Sequence, residues 1–284
     1  MPTPSPFTTA RKAATAVALS FALILTGSQV AASASTTAPA IPATIAAAGD
    51  SISVATNYSL ACAAFGTCAR GSWTTGSLTS VDSHFLRLKD YNSGLSARNA
   101  AFNGAKVVDL SGQFTKILAN NFRPGYLTVM IGANDLCGTG LTDTATFRAQ
   151  FHAAMTSLYA TSPNTSVFVG SIPSLQRLYD LLKTNKSALS TWDLFKICPL
   201  MLAPNSTSRE LVNQRQAEFN DVLEQVCAEF AAQQLNRCKF DGDAVFNTVF
   251  VTTDVSTVDY FHPSAAGQKK LAAATWAQSF WPTR

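Results

Sequence analysis

The chain has 284 residues, 47% of them hydrophobic and only 13% charged, with a formal net charge of +4. So small a charge gives no reason to expect a nucleic-acid partner or an electrostatically steered acidic one. The length and apolar content suit one sizeable core, and no linker, repeat or low-complexity block interrupts the chain past Pro42.

The first 34 residues read as a secretory signal, with Arg11 and Lys12 as the positive end, Ala13 to Thr26 as the apolar stretch and Ala32-Ser33-Ala34 as a small-residue cleavage site. That apolar stretch is shorter than the ~20 residues a bilayer-spanning helix needs, and the polar flank after Thr26 favours cleavage over an uncleaved anchor. The expectation is a secreted protein without a transmembrane segment. Loss of 34 residues leaves 250 and takes Arg11 and Lys12 with it, so the formal charge falls to +2. Residues 35–42, rich in Ser, Thr, Ala and Pro, predict a flexible mature N-terminus, and residues 43–284 a single domain.

Thr44 to Ala48 is a short apolar run that predicts a buried strand, ending at Gly49-Asp50-Ser51. Val81, Phe85 and Leu88 share one helical face, and a weaker strand candidate lies around Arg98 to Phe102. Val107, Leu110, Phe114, Ile117 and Leu118 return to the helical period. Tyr126 to Ile131 predicts a core strand ending in Gly132, Phe147 to Tyr159 a helix, and Ser166 to Ile172 another strand, ending in Pro173. Ser174 to Pro204 is less regular and fits either a flap over a site or a helical insertion pinned by a disulfide. A long helix follows over roughly Thr207 to Leu235, then a fourth strand candidate at Thr248 to Thr252, then a helix from Ala265 to Phe280 with Ser264 as its N-cap. Strands alternating with helices predict an α/β fold whose parallel sheet is covered on both faces.

Six cysteines, an even count in an exported chain, predict three disulfides. Six allow 15 pairings. The expected one is sequential, Cys62 with Cys68, Cys137 with Cys198 and Cys227 with Cys238, because short loops close at least entropic cost. No Cys-x-x-Cys and no zinc-ligand spacing occurs, so neither a metal nor another cofactor is expected. Asn57-Tyr58-Ser59, Asn164-Thr165-Ser166 and Asn205-Ser206-Thr207 are sequons, of use only in a eukaryotic secretory route.

A serine at the carboxyl end of the first strand would sit where α/β sheets place their ligand crevice. A base for it near neutral pH must be histidine, and three are present. His84 and His152 fall inside amphipathic helices and read as structural. His262 lies in a loop, three residues after Asp259, which could fix the imidazole tautomer; Asp254 is a substitute for that orienting role. Asn103-Gly104 and Gly132-Ala133-Asn134-Asp135 are turns whose glycine amides or asparagine side chain suit an oxyanion hole.

Taken as an ordered set, Gly49-Asp50-Ser51, Gly104, Gly132-x-Asn134-Asp135 and Asp259-x-x-His262 resemble the signature blocks of the SGNH (GDSL) hydrolase family over residues 44 to 275. The resemblance implies a flavodoxin-like three-layer α/β/α sandwich with a central parallel sheet. It implies Ser51 as nucleophile, His262 and Asp259 as base and orienter, and the Ser51 and Gly104 amides with the Asn134 side chain as oxyanion donors. One departure is Ile52 in the fourth position of the GDSL signature. Gly132 to Cys137, Cys198-Pro199 and the cysteine count look like the secreted lipase and phospholipase branch. The implied activity is ester hydrolysis through an acyl-enzyme on acyl lipids, by a monomer in transient contact with lipid interfaces. A carbohydrate O-acetyl esterase and a catalytically inactive secreted binding protein are the alternatives. Gly-x-Ser-x-Gly, His-Glu-x-x-His, Gly-x-Gly-x-x-Gly and the phosphate-binding loop are all missing, which disfavours the α/β-hydrolase, zinc-protease, dinucleotide and nucleotide readings.

Overall fold

Among the described residues five short strands, β1 (Thr44–Gly49), β2 (Ser96–Asn99), β3 (Tyr126–Met130), β4 (Ser166–Val169) and β5 (Cys238–Phe240), alternate with helices along the chain and pair side by side, all parallel, in the order β2-β1-β3-β4-β5. The coordinates are a computed structural model, and the structure describes residues 1–3, 38–63, 66–138, 140–234 and 236–282. Apart from its first three residues, the expected signal segment lies outside the described residues. Of the 35–42 stretch, residues 38–42 are described: Pro39 O accepts from Trp281 Nε1 at 2.7 Å and Pro42 O from Asn92 Nδ2 at 3.1 Å.

In chain order the elements are β1 (Thr44–Gly49), α1 (Leu60–Ala63), α2 (His84–Lys89), β2 (Ser96–Asn99), α3 (Leu110–Leu118), β3 (Tyr126–Met130), α4 (Ala133–Cys137), α5 (Thr144–Thr161) and β4 (Ser166–Val169). There follow α6 (Leu175–Leu182), α7 (Lys186–Phe195), α8 (Pro199–Leu202), α9 (Arg209–Gln233), β5 (Cys238–Phe240) and α10 (Ala265–Ala277). Side chains alternate across a strand, so each central strand feeds two cores. Ala46, Ala48, Leu127, Val129, Val167 and Val169 face α3, α5 and α9. Ile45, Tyr126, Met130 and Phe168 face α2 and α10 with Trp73 and Trp281. The result is the α/β/α sandwich. Within the second core His84 is fully buried, with Nδ1 2.9 Å from Tyr126 Oη and Nε2 2.8 Å from Thr275 Oγ1. Burial, with the Arg87 charge adding to it, lowers its pKa to about 3, so it is a neutral core histidine.

The strand expected at Thr248 to Thr252 is not one. Val249 and Val251 are exposed there, and the Val249 and Phe250 carbonyls accept from Lys270 Nζ and Arg177 Nε instead of from a neighbouring strand. The fifth strand is Cys238–Phe240, paired with β4. The weak second strand begins two residues earlier than expected, at Ser96. As an edge strand with a solvent-exposed start, it has little need of an apolar run. The segment from Ser174 to Pro204 is the helical insertion α6–α8. The three disulfides join Cys62 to Cys68, Cys137 to Cys198 and Cys227 to Cys238.

Among the described residues no helix is long and apolar enough to cross a membrane.

Candidate active site

In this strand order the chain reverses its direction of sheet growth between β1 and β3, and a crevice opens beyond the carboxyl ends of strands at such a switch point. Ser51 leaves β1 there and Gly132 to Asp135 leave β3. Gly49 has φ +144, and an added Cβ would lie 2.2 Å from Met130 O, so only glycine lets the two strands close up at that point. Gln113 of α3 clamps the same residue, donating Nε2 to Gly49 O at 2.9 Å and accepting from Gly49 N at 2.7 Å.

Past the glycine, Asp50 Oδ1 accepts from Ile52 N at 2.9 Å and Thr56 N donates to Ser51 O at 2.9 Å, so Ser51 sits on a tightly folded loop and is 6% exposed. The Asp50 carboxyl is buried. Desolvation lifts its pKa to about 6; the Ile52 N–H and the charge of His262 oppose the rise, and the charge of Asp135 adds to it.

The second and third turns are stitched together. Gly104 has φ +75 and is exposed. Asn134 Nδ2 donates to Ala105 O at 3.0 Å, and Val107 N donates to Asp135 Oδ2 at 3.0 Å. Thr142 Oγ1 takes up the other Asp135 oxygen at 2.9 Å. Asn134 and Asp135 thus fix the loop carrying Gly104, and one N–H of the Asn134 amide remains for another acceptor.

The late loop brings its own pair. His262 Nδ1 hydrogen-bonds Asp259 Oδ2, while Asp259 Oδ1 accepts from the Phe261 and His262 amides at 2.9 and 3.0 Å. Ser256 N donates to His262 O at 2.8 Å, holding the histidine backbone. Burial alone would raise the Asp259 pKa. The hydrogen bond and charge of His262, an amide from Asn57 and the His262 N–H outweigh it and hold the carboxyl below its ordinary value. Asp254 is engaged elsewhere, paired with Lys270 and accepting from Val251 N at 2.8 Å. His152 is half-buried on α5, 3.9 Å from Glu229.

Ile52, the residue after Ser51, lines the same pocket as His262, and the His262 charge acts on Asp50, the residue before Ser51. Among the described residues no hydrogen bond joins Ser51 Oγ to the ring; such contacts commonly tighten only when substrate is bound. The pocket beside His262 is an apolar slot, walled by Ile52, Leu175, Leu178, Leu181, Phe250 and Phe261. Three of those come from α6, so the inserted segment, although pinned by Cys137–Cys198, also forms a wall of the site. Sequence reading passed over two residues of this centre, Asn57 and the slot-lining Arg177.

Acyl transfer from an ester requires a serine, an imidazole base and oxyanion donors; the family pattern and the fold make the chain a serine ester hydrolase. It belongs to the GDSL-like Lipase/Acylhydrolase family, whose pattern matches residues 45–275. Three solved structures share the fold at low sequence identity. An alpha/beta hydrolase from the metagenome of Lake Arreo, Spain, is 15% identical with a TM-score of 0.53, covering 85% of this chain and 96% of its own. An acetyl xylan esterase from Geobacillus stearothermophilus is 14% identical with a TM-score of 0.51, covering 83% and 93%. A putative GDSL-like lipase from Parabacteroides merdae is 17% identical with a TM-score of 0.50, covering 83% and 94%. No curated protein matches the sequence.

Proposed function

We propose that the chain is a secreted lipase- or phospholipase-type esterase working through an acyl-enzyme. His262 takes the Ser51 proton as Oγ attacks the ester carbonyl, and Asp259 holds the imidazole tautomer and stabilises the imidazolium. The Ser51 and Gly104 amides and the remaining Asn134 N–H receive the oxyanion. The alcohol leaves with a proton from His262, and water then repeats the sequence to release the acid. Cleavage after Ala34 and action as a monomer at lipid interfaces belong to the same reading.

The observation that carries the choice of a lipid substrate is the apolar slot beside His262. An acetyl group needs no such wall of leucine and phenylalanine, whereas a longer acyl chain gains roughly 0.8 kcal/mol for each methylene it buries there. A panel of p-nitrophenyl acetate, medium-chain and long-chain esters, phosphatidylcholine and acetylated xylan tests the proposal. Rising kcat/KM with acyl length is expected. Activity confined to acetyl esters would overturn the lipid assignment in favour of a carbohydrate deacetylase.

A further inference from the structure

Six residues beyond Ser51, in the loop leaving β1, stands Asn57, which no step of the proposed acyl transfer uses. Its side chain is enclosed, with the residue 7% exposed. Nδ2 donates to Asp259 Oδ2 at 2.7 Å, the same carboxylate oxygen that His262 Nδ1 reaches. Only the NH2 end of an amide can face a carboxylate, so chemistry fixes which way the side chain points. That orientation leaves Asn57 Oδ1 buried without a hydrogen-bond partner, an unfavourable arrangement that the contact with Asp259 offsets.

The backbone holds the amide in place from two sides. Asn57 N donates to Gly66 O at 2.8 Å, inside the loop closed by Cys62–Cys68. Asn57 O accepts from Ser256 Oγ at 2.5 Å, three residues before Asp259. Its φ of +50 is left-handed, a conformation that asparagine tolerates better than most residues. The loop bearing the serine and the loop bearing the histidine are therefore joined directly through this residue.

The geometry points to Asn57 as a positioning residue that holds the Asp259 carboxylate in line with His262 Nδ1 and shares its negative charge. This inference rests on the acyl-transfer reading above. Without the amide, Asp259 would keep its full charge for the imidazole but lose one of the bonds that aim it. The imidazolium would be favoured and the productive geometry less populated. Among the described residues the ionisable groups facing this centre are Asp259 and His262 themselves, Asp50 with Asp135 beyond it on the serine side, and Arg177 and the Lys270-paired Asp254 along the slot.

Two substitutions in the full chain test it. Asn57→Gly suits the left-handed backbone and removes the amide. Asn57→Asp keeps the size and replaces the donor with an acceptor. Both are measured with a medium-chain p-nitrophenyl ester across pH, beside Asp259→Asn, with thermal melting to check folding. Asn57→Gly should lose on the order of tenfold in kcat with KM unchanged. The acid limb of its kcat/KM profile should move up by roughly half to one pH unit. Asn57→Asp should lose more, since two carboxylates then meet. A folded Asn57→Gly enzyme with kcat within about twofold of wild type overturns the inference, as does a fall in kcat with an unmoved acid limb, which would mark a structural role only. If Asp259→Asn loses turnover in that case, the acyl-transfer reading survives alone. Wild-type turnover in Asp259→Asn would overturn both.

Discussion

Replacing Asp50 by Asn should make the protein more stable at neutral and alkaline pH and not at acid pH. The isosteric amide keeps an oxygen for the bond from Ile52 N and removes the buried charge. In the unfolded chain the Asp50 carboxyl titrates at its ordinary 3.8, and in the folded chain at about 6. Between those values the folded protein holds a proton the unfolded chain has released, so stability falls as pH rises through the window, and the whole penalty is present above it. At roughly 1.4 kcal/mol per pH unit, the gap is worth about 3 kcal/mol. Urea unfolding of both proteins from about pH 4 to about pH 8 measures it. The difference between the two curves cancels the titrating groups remote from Asp50, which contribute to both, and retains its coupling to His262 and Asp135. The expected advantage of Asp50→Asn is about 3 kcal/mol near pH 8, shrinking towards zero near pH 4. A difference that does not change with pH would refute the reasoning, and so would an advantage that grows as pH falls.

Ser51→Ala and His262→Ala should each lower kcat on the order of 10³-fold or more, and Asn134→Ala about 10²- to 10³-fold, in steady-state assays with p-nitrophenyl esters. Asn134→Ala should also loosen the Gly104 loop, since it removes the bond to Ala105 O. Separating Cys137 from Cys198 by a Cys137→Ser/Cys198→Ser double substitution opens a crosslink between residues 61 apart, worth about 4 kcal/mol on the chain-entropy account. A lower Tm, seen also when wild type is reduced, is expected; an unchanged Tm would count against a structural bridge. Leu178→Trp narrows the slot beside His262 and should cut kcat/KM for long-chain esters while sparing the acetyl ester. An equal loss on both would place the acyl chain elsewhere.

Much of this architecture was legible in the sequence because the central strands are buried on both faces and read as unbroken apolar runs between turn residues. Tyr126 to Ile131 and Ser166 to Ile172 are of that kind. Cys238-Lys239-Phe240 is not: three residues long with a lysine at its centre, it is a strand only because β4 offers an edge beside it and a disulfide ties it to α9. The richer run Thr248 to Thr252 was the better strand by composition, yet it lies on the surface with its carbonyls taken by Lys270 and Arg177. At the site, Asp259-x-x-His262 could be recognised because partner and base are neighbours in the chain. Asn57 could not. It lies 202 residues from the carboxylate it holds, and its local sequence, Asn57-Tyr58-Ser59, reads instead as a surface glycosylation signal. The burial of that asparagine against Asp259 is set by tertiary contact alone. Arg177 was likewise hidden, since it enters the slot through the packing of α6 and not through any motif.

The proposed acyl transfer depends on a nucleophile at the turn after β1, activated by the imidazole of the late loop, and covalent capture reads that directly. Purified protein treated with a fluorophosphonate ester and analysed by peptide mass spectrometry should carry one phosphonyl adduct, on Ser51. Labelling should disappear in Ser51→Ala and slow on the order of 10³-fold in His262→Ala. An adduct on another residue, or undiminished labelling in Ser51→Ala, would contradict the account.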